Sequence, residues 1–256
     1  MTTPSVALVT GASVGIGEQF ARLLAARGND LVLVARDRAR LEALAKELED
    51  TCGNRCEVLA ADLVDPTALA TVEARAEQVD VLVNNAGFGT FGSFHELDIE
   101  PEDRQIRLNI LALVRLTHAA SRGMVERGHG GILNVASLAG FQPTPNDATY
   151  AATKAFVLSF SQAVHEELKG SGVSVSVLAP GFTRTEFQER ANFDRSSVPS
   201  FLWQEAEPVA RAGLDGLAKN RAVIVPGVMN RAAAGLSSVA PFGLTRRVAA
   251  FAVKHA

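Results

Sequence analysis

The chain has two cysteines, one tyrosine and one tryptophan in 256 residues. The cysteines stand in the polar run Thr51-Cys52-Gly53-Asn54-Arg55-Cys56-Glu57, without the histidine or second cysteine pair that zinc requires. Two thiols cannot frame a disulfide scaffold for so large a chain, so free thiols in a reducing compartment are expected, and no metal. No apolar run reaches the roughly 20 residues of a membrane-spanning helix. The first residues, Met1 to Ser13, lack the basic segment and long apolar core of a secretory leader, which makes the cytoplasm the expected location. The net charge is only −3, and Lys and Arg are scattered over most of the chain. That excludes the concentrated basic surface a nucleic-acid partner needs. Linkers rich in Pro or Ser, internal repeats and low-complexity stretches are also missing, so residues 1–256 form one domain.

What is present is a hydrophobic fraction of 47%, enough to fill a substantial core. Seven short, nearly all-apolar runs read as strands: Ser5–Thr10, Leu31–Ala35, Glu57–Ala60, Val79–Asn84, Gly131–Val135, Val173–Ala179 and Ala222–Val225. Strands of that kind are covered on both faces, as in a parallel sheet with crossover helices. Gly28 is placed to end the first helix, Asp65-Pro66 and Glu100-Pro101 to start two others, and Gly170 to close a long one over Ala148–Lys169. The βαβα order predicts an α/β fold, a Rossmann-type doubly wound parallel sheet of about seven strands.

Directly after the first strand comes Thr10-Gly11-Ala12-Ser13-Val14-Gly15-Ile16-Gly17, running into a helix over Glu18–Arg27. Glycines there permit a tight turn and close approach of a pyrophosphate, and the helix N-terminus offers unpaired N–H groups. The spacing Gly-x-x-x-Gly-x-Gly departs from the commoner dinucleotide fingerprint, and its place between first strand and first helix carries the argument. At the end of the second strand stands Arg36, a guanidinium suited to a ribose 2′-phosphate, which favours NADP over NAD. Two alternatives remain: a one-residue shift would bring Asp37 to the ribose, or Arg36 pairs with Asp37 or Glu42 on the surface.

Tyr150-Ala151-Ala152-Thr153-Lys154 puts the only tyrosine four residues from a lysine, on one face of a helix. A neighbouring ammonium is expected to lower the phenol from its ordinary pKa of about 10, so that its oxygen can exchange a proton with an alcohol or carbonyl. Ser137 follows the fifth strand at the carboxyl edge, where its hydroxyl either orients a substrate oxygen or caps a turn.

With these residues in place, the sequence resembles the short-chain dehydrogenase/reductase family from Val6 to about Gly227. The similarity rests on Thr10–Gly17, Asp62-Leu63, Asn84-Asn85-Ala86-Gly87, Asn109, Ser137, Tyr150-x-x-x-Lys154 and Pro180-Gly181, in that order. The resemblance implies that Tyr150 is the general acid in reduction and the general base in oxidation, with Lys154 lowering its pKa and holding the nicotinamide ribose. It implies that Ser137 orients the substrate oxygen and that Asn109 holds a water in a proton relay behind Lys154. Asp62 and Leu63 would meet the adenine, Asn85, Ala86 and Gly87 would line the cofactor cleft, and Gly181, Phe182, Thr183 and Thr185 would approach the nicotinamide after Pro180. Gly11, Ser13, Val14, Gly15, Ile16 and Gly17 would hold the phosphates. A homodimer or homotetramer is also implied. Val14 departs from the family, since many NADP-preferring members carry a basic residue there.

The pocket is expected from the loops Phe88–Leu97 and Leu138–Asp147 and from residues 182–204, the substrate loop. These hold Phe88, Phe91, Phe94, Phe141, Phe182, Phe187, Phe193, Phe201 and Trp203. An apolar ketone or aldehyde and its alcohol is the expected substrate pair, the alternative being that the rings pack the loops onto the body. His95 either contacts substrate or lies at the surface. After Asp215 no acidic residue follows, while Lys219, Arg221, Arg231, Arg246, Arg247 and Lys254 alternate with Leu236, Val239, Phe242, Leu244, Val248 and Phe251. Residues 228–256 are thus read as a tail that lids the pocket or joins an interface, since Pro241 and Gly243 interrupt the continuous amphipathic helix a membrane surface would need. A cofactor-binding sensor or scaffold on the same fold is the competing reading, and the set Asn109, Ser137, Tyr150 and Lys154, which a sensor has no need of, argues for an enzyme.

Overall fold

The computed structural model describes residues 5–187, 191, 193 and 198–239. Seven parallel strands form one sheet: β1 (Val6–Thr10), β2 (Asp30–Ala35), β3 (Cys56–Ala60), β4 (Val81–Asn84), β5 (Gly130–Val135), β6 (Val173–Leu178) and β7 (Val223–Ile224). Their order is β3-β2-β1-β4-β5-β6-β7, so the sheet reverses direction between β1 and β4. A crevice opens at the carboxyl ends of the strands at such a switch point, which is where this fold places its ligands. The sheet, its parallel sense and its strand count are those expected from the sequence.

The strands are apolar on both sides because both sides are covered. Ala7 and Val9 pack with Phe20, Leu24, Leu33, Leu41, Leu133 and Leu214 on one face. Leu8 packs with Val32, Val34, Leu69, Val72, Leu82 and Leu116 on the other. The first layer is formed by α1 (Gly15–Ala26), α2 (Arg38–Cys52) and α7 (Ala206–Ala218). The second is formed by α3 (Pro66–Ala76) and α5 (Leu113–Arg127), with α6 (Ala148–Glu167) beside it. Asp37 and Asp65 cap α2 and α3, accepting N–H bonds from Arg40 and Ala68 at 3.1 and 2.7 Å.

Three helix boundaries differ from expectation. The first helix begins at Gly15, inside the glycine turn, and α6 stops at Glu167, short of Lys169. Pro101 lies within α4 (Ile99–Ile106), whose N-cap is Asp98. A π-helical turn, Arg107–Ala112, then joins α4 to α5, and no side-chain pattern in the sequence announces it. The last of the described helices, α8 (Val228–Val239), returns to the carboxyl edge of the sheet, where Ser237 donates to Gln142 Oε1 at 3.3 Å. Within the core, Asn84 Nδ2 donates to Asn134 Oδ1 at 2.9 Å and to Thr117 Oγ1 at 3.0 Å, and Asn134 donates to Ser161 at 3.0 Å. This chain of buried amides and hydroxyls ties β4 and β5 to α5 and α6.

Candidate active site

A cleft of about 1570 Å³ runs along the carboxyl ends of the strands. Every predicted cofactor residue lines it except Gly17, and of the four predicted catalytic residues Ser137, Tyr150 and Lys154 do so.

At the phosphate end, Gly11 and Gly15 adopt φ of 67° and 61°, conformations that suit glycine. Gly17 serves packing: a Cβ there would lie 2.1 Å from the Gly11 carbonyl oxygen. The turn is clamped from below, because Asn85 Nδ2 donates to the carbonyls of Thr10 and Gly11 at 3.0 and 3.3 Å. The Thr10 hydroxyl in turn accepts from the backbone N–H groups of Asn85 and Ala86, both at 3.0 Å. Val14, at the N-cap of α1, supplies no side-chain bond to the first-turn N–H groups. Glycines in the left-handed region beside an uncapped helix start fit a diphosphate.

At the adenosine end, β2 stops at Ala35, so Arg36 is the first residue beyond the strand. The Asp37 carboxylate is engaged in capping α2 and lies 3.5 Å from Arg40 Nε, while Glu42 pairs with Arg38 at 3.4 Å. Among the described residues no carboxylate forms an ion pair with Arg36, so neither surface pairing envisaged for it is present. Asp62 accepts from Val64 N at 3.1 Å and from Arg104 at 2.9 Å. Burial works to raise its carboxyl, but those two bonds and the charges of Arg104 and Arg36 hold it below the usual range.

At the chemical end, Lys154 is 4% exposed and donates to the Val135 carbonyl at 2.9 Å, its Nζ standing 5.5 Å from the centre of the Tyr150 ring. Burial lowers its ammonium to about 8. Tyr150 is walled in by the Phe187 ring at 5.4 Å and by Gly89, where a Cβ would lie 3.1 Å from the ring. The expectation of a depressed phenol is not met here. Burial, and next the negative charge of Asp147, push Tyr150 up, against a smaller lowering by its hydrogen bond with Ser137. The Lys154 ammonium, bonded to a strand-end carbonyl and itself desolvated, does not offset this rise. The phenol is therefore held in its neutral form.

Ser137 takes the capping role expected of it. Its Oγ accepts from Ala139 N at 3.2 Å, capping the short 3₁₀ turn Leu138–Phe141, and it faces Tyr150. Asn109 lies behind the cleft in the π-helical turn, 1% exposed. Its Oδ1 accepts from Phe88 N at 3.2 Å, and its Nδ2 donates to Phe88 O at 2.9 Å and Thr153 Oγ1 at 3.1 Å. Both amide donors are thus used on protein, bracing the strand-to-loop segment that carries Gly87.

Pro180, Gly181, Phe182, Thr183 and Thr185, expected to approach the nicotinamide, also line the cleft. A parallel bridge between Thr183 and Gln204 closes the base of the substrate loop, with Gln204 N donating to Phe182 O at 2.9 Å. Asn230 of α8 locks this base, donating to Gln204 Oε1 and Pro226 O, both at 2.9 Å. Ala233, Ala234 and Ser237 line the cleft, so the described part of the tail walls the pocket. Arg246, Arg247, Lys254, Pro241, Phe242, Gly243, Leu244, Val248 and Phe251 lie outside the described residues. Phe88, Phe91, Phe141, Phe182, Phe187 and Phe193 line the cleft. Phe94 and Phe201 do not: they are 58% and 69% exposed. Trp203 instead packs against Phe182 at 5.5 Å and under Arg184 at 5.8 Å. His95 is at the surface.

Sequence reasoning missed Arg104 and Leu108, which also line the cleft, and did not single out Thr90, Gln142 and Asp147 within the loops it expected there. Asp147 had a visible signal: it lies three residues before Tyr150, on the same helix side. Burial, reinforced by Glu102, raises its carboxyl to about 7.

The family model for short chain dehydrogenases matches residues 5–196. Nodulation protein G of Rhizobium sp. (strain N33) is 33% identical over 242 residues, 91% of this chain and 97% of that one. A short-chain dehydrogenase from Sphingobium yanoikuyae, solved in complex with NADPH, is 40% identical with a TM-score of 0.83, covering 93% of this chain and 96% of that one. The bulky-bulky ketone specific alcohol dehydrogenase from Comamonas testosteroni is 34% identical with a TM-score of 0.80, covering 94% and 96%. The chain belongs to the short-chain dehydrogenase/reductase family and is an oxidoreductase.

Proposed function

We propose that the protein is an NADP-dependent reductase/dehydrogenase that interconverts an apolar ketone or aldehyde and its alcohol, with Tyr150 as the acid and base. The observation that carries this reading is the continuity of one cleft from Arg36, through the glycine turn, to Tyr150, Lys154 and an aromatic wall. The NADPH complex of the Sphingobium relative and the ketone preference named for the Comamonas relative support it. When bound, the reduced nicotinamide supplies the hydride. Arg36 would meet the 2′-phosphate, Gly11, Gly15 and the start of α1 would hold the diphosphate, and Pro180 to Thr185 would hold the carboxamide end.

The protein's own chemistry is proton transfer and exclusion of water. Tyr150, kept neutral by its surroundings, donates its hydroxyl proton to the substrate oxygen as negative charge develops there, and Ser137 orients that oxygen. General acid catalysis of this kind contributes about 10² to 10⁴ in rate. Lys154 stands behind the ring to stabilise the phenolate that remains. The aromatic side chains and α8 keep water from the reacting atoms. Incubation with NADPH and a panel of apolar ketones, followed at the reduced-nicotinamide absorbance beside Tyr150→Phe, tests the reading. NADPH oxidation that vanishes in the variant is expected, whereas NADPH binding without oxidation of any panel member would overturn the apolar-ketone reading and leave either another substrate class or the sensor.

We also infer a homo-oligomer, because Ile99, Ile106, Leu111 and Phe156 stand exposed along α4 to α6. Light scattering of a monomeric mass would reject it.

A further inference from the structure

The substrate end of the cleft is lined by both aromatic and polar side chains. Beside the phenylalanines it carries Thr90, Gln142, Thr144, Asn146 and Asp147. Asp147 is held firmly: its N–H donates to Thr144 O at 3.2 Å and its carbonyl accepts from Ala151 N at 2.9 Å. Asn146 before it takes the left-handed φ of 61° and accepts from Gly92 N at 2.8 Å.

Its side chain behaves unlike the other helix-starting aspartates. Asp37 and Asp65 spend their carboxylates on first-turn N–H groups. Asp147, at the N-cap of α6, makes no such bond, and no donor among the described residues reaches its carboxylate. A mostly enclosed carboxylate without a donor is costly. Its surroundings add to the cost. Glu102, 3% exposed, takes the Thr90 hydroxyl, so a second carboxylate lies close by. Gln105, fully buried, accepts from Thr90 N at 3.1 Å through Oε1, and its Nε2 has no partner among the described residues. A wholly apolar substrate closing over this corner would strip water from Asp147 and give nothing back. A substrate bringing its own donor would satisfy the Asp147 carboxylate.

We propose that Asp147 is a specificity-determining residue that accepts a hydrogen bond from the substrate. The preferred substrates are then apolar ketones carrying a hydroxyl or a protonated amine within a few bonds of the reacting carbonyl. Oxo-acids are disfavoured, since their carboxylate would meet Asp147 and Glu102 as like charges. This inference rests on the reductase reading above and names the substrate class more narrowly.

The test compares kcat/KM with NADPH for propiophenone, 2-hydroxyacetophenone, its 2-amino analogue and benzoylacetate, in wild type, Asp147→Asn and Asp147→Ala. Dividing each ratio in wild type by the same ratio in Asp147→Ala removes the intrinsic reactivity of the ketone. The hydroxy-to-plain and amino-to-plain ratios are expected to fall about tenfold or more in Asp147→Ala. Asp147→Asn should keep the hydroxyl preference, lose the ammonium preference and gain on benzoylacetate. If Asp147→Ala does not fold by circular dichroism, the ammonium and benzoylacetate ratios of Asp147→Asn decide. Ratios unchanged within about twofold would overturn the assignment of Asp147 and leave the reductase reading standing. A wild type that binds NADPH and turns over none of the four ketones would overturn both.

Discussion

The two ends of the cleft are built on different principles. The cofactor end is largely backbone: glycines in the left-handed region, an uncapped helix start, and residues at the carboxyl ends of the strands. The substrate end is side chain: rings from three separate loops, a polar corner at the start of α6, and α8 returning from beyond β7. A backbone site tolerates little change in shape, because a Cβ at Gly17 has a carbonyl at 2.1 Å to displace. A side-chain site tolerates much more, since its members can repack one by one. The first end fixes what all such folds share, and the second is where one chain becomes specific.

The comparison is most sharply broken at the residue that joins the two ends. Tyr150→Phe is expected to reduce kcat by about 10³-fold while leaving NADPH affinity within a few-fold, measured by single-turnover kinetics and fluorescence titration. Loss of binding as well would mean that the ring is chiefly a cofactor support. Next in size, Gly17→Ala should abolish NADPH binding and destabilise the fold by about 3 kcal/mol, visible in thermal melts, because the Gly11 carbonyl cannot yield without opening the turn. Arg36→Ala should weaken NADPH by about 10- to 100-fold and NADH by much less, so that the ratio of dissociation constants collapses. Equal weakening of both would show that the guanidinium does not read the 2′-phosphate.

The substrate end gives smaller effects. Asp147 has a folded pKa of about 7 against an ordinary 3.8, so the folded state binds the proton more tightly. The cost of ionising it is absent below the lower value and complete above the upper one, and stability conferred at this position declines as pH rises between them. Asp147→Asn should therefore flatten that slope and, at pH 8, stabilise the free protein by on the order of 2 kcal/mol, read from melts at pH 5 and pH 8. Smallest of all, Phe201→Ser should change kcat/KM by less than about twofold, because that ring is exposed and outside the cleft. A larger loss would bring the loop around it into the pocket.

Much of this was legible in the sequence. The all-apolar strands announced a sheet covered on both faces, because burial from two sides leaves no polar alternation to keep. The glycine turn, Arg36, Ser137, Tyr150 and Lys154 were legible because each sits where a strand or helix boundary is itself marked. The electrostatics of Tyr150 were not. A four-residue spacing puts Lys154 on the same helix face, but only the packed structure shows its ammonium bonded to Val135 O and the phenol dominated by burial and Asp147. Nor could spacing separate Phe91 and Phe193, whose rings meet edge to face at 5.3 Å, from Phe94, which faces solvent.

The sequence by itself thus determined the class of fold, the place of the crevice and the side chains proposed to react there, since periodicity and turn chemistry are local and survive without neighbours. Only the tertiary structure decided which rings line the pocket, which aspartates cap a helix and which is left without a donor, and how far each charge is shifted. Those properties depend on what lies across the cleft, and that is set by chain segments far apart in sequence.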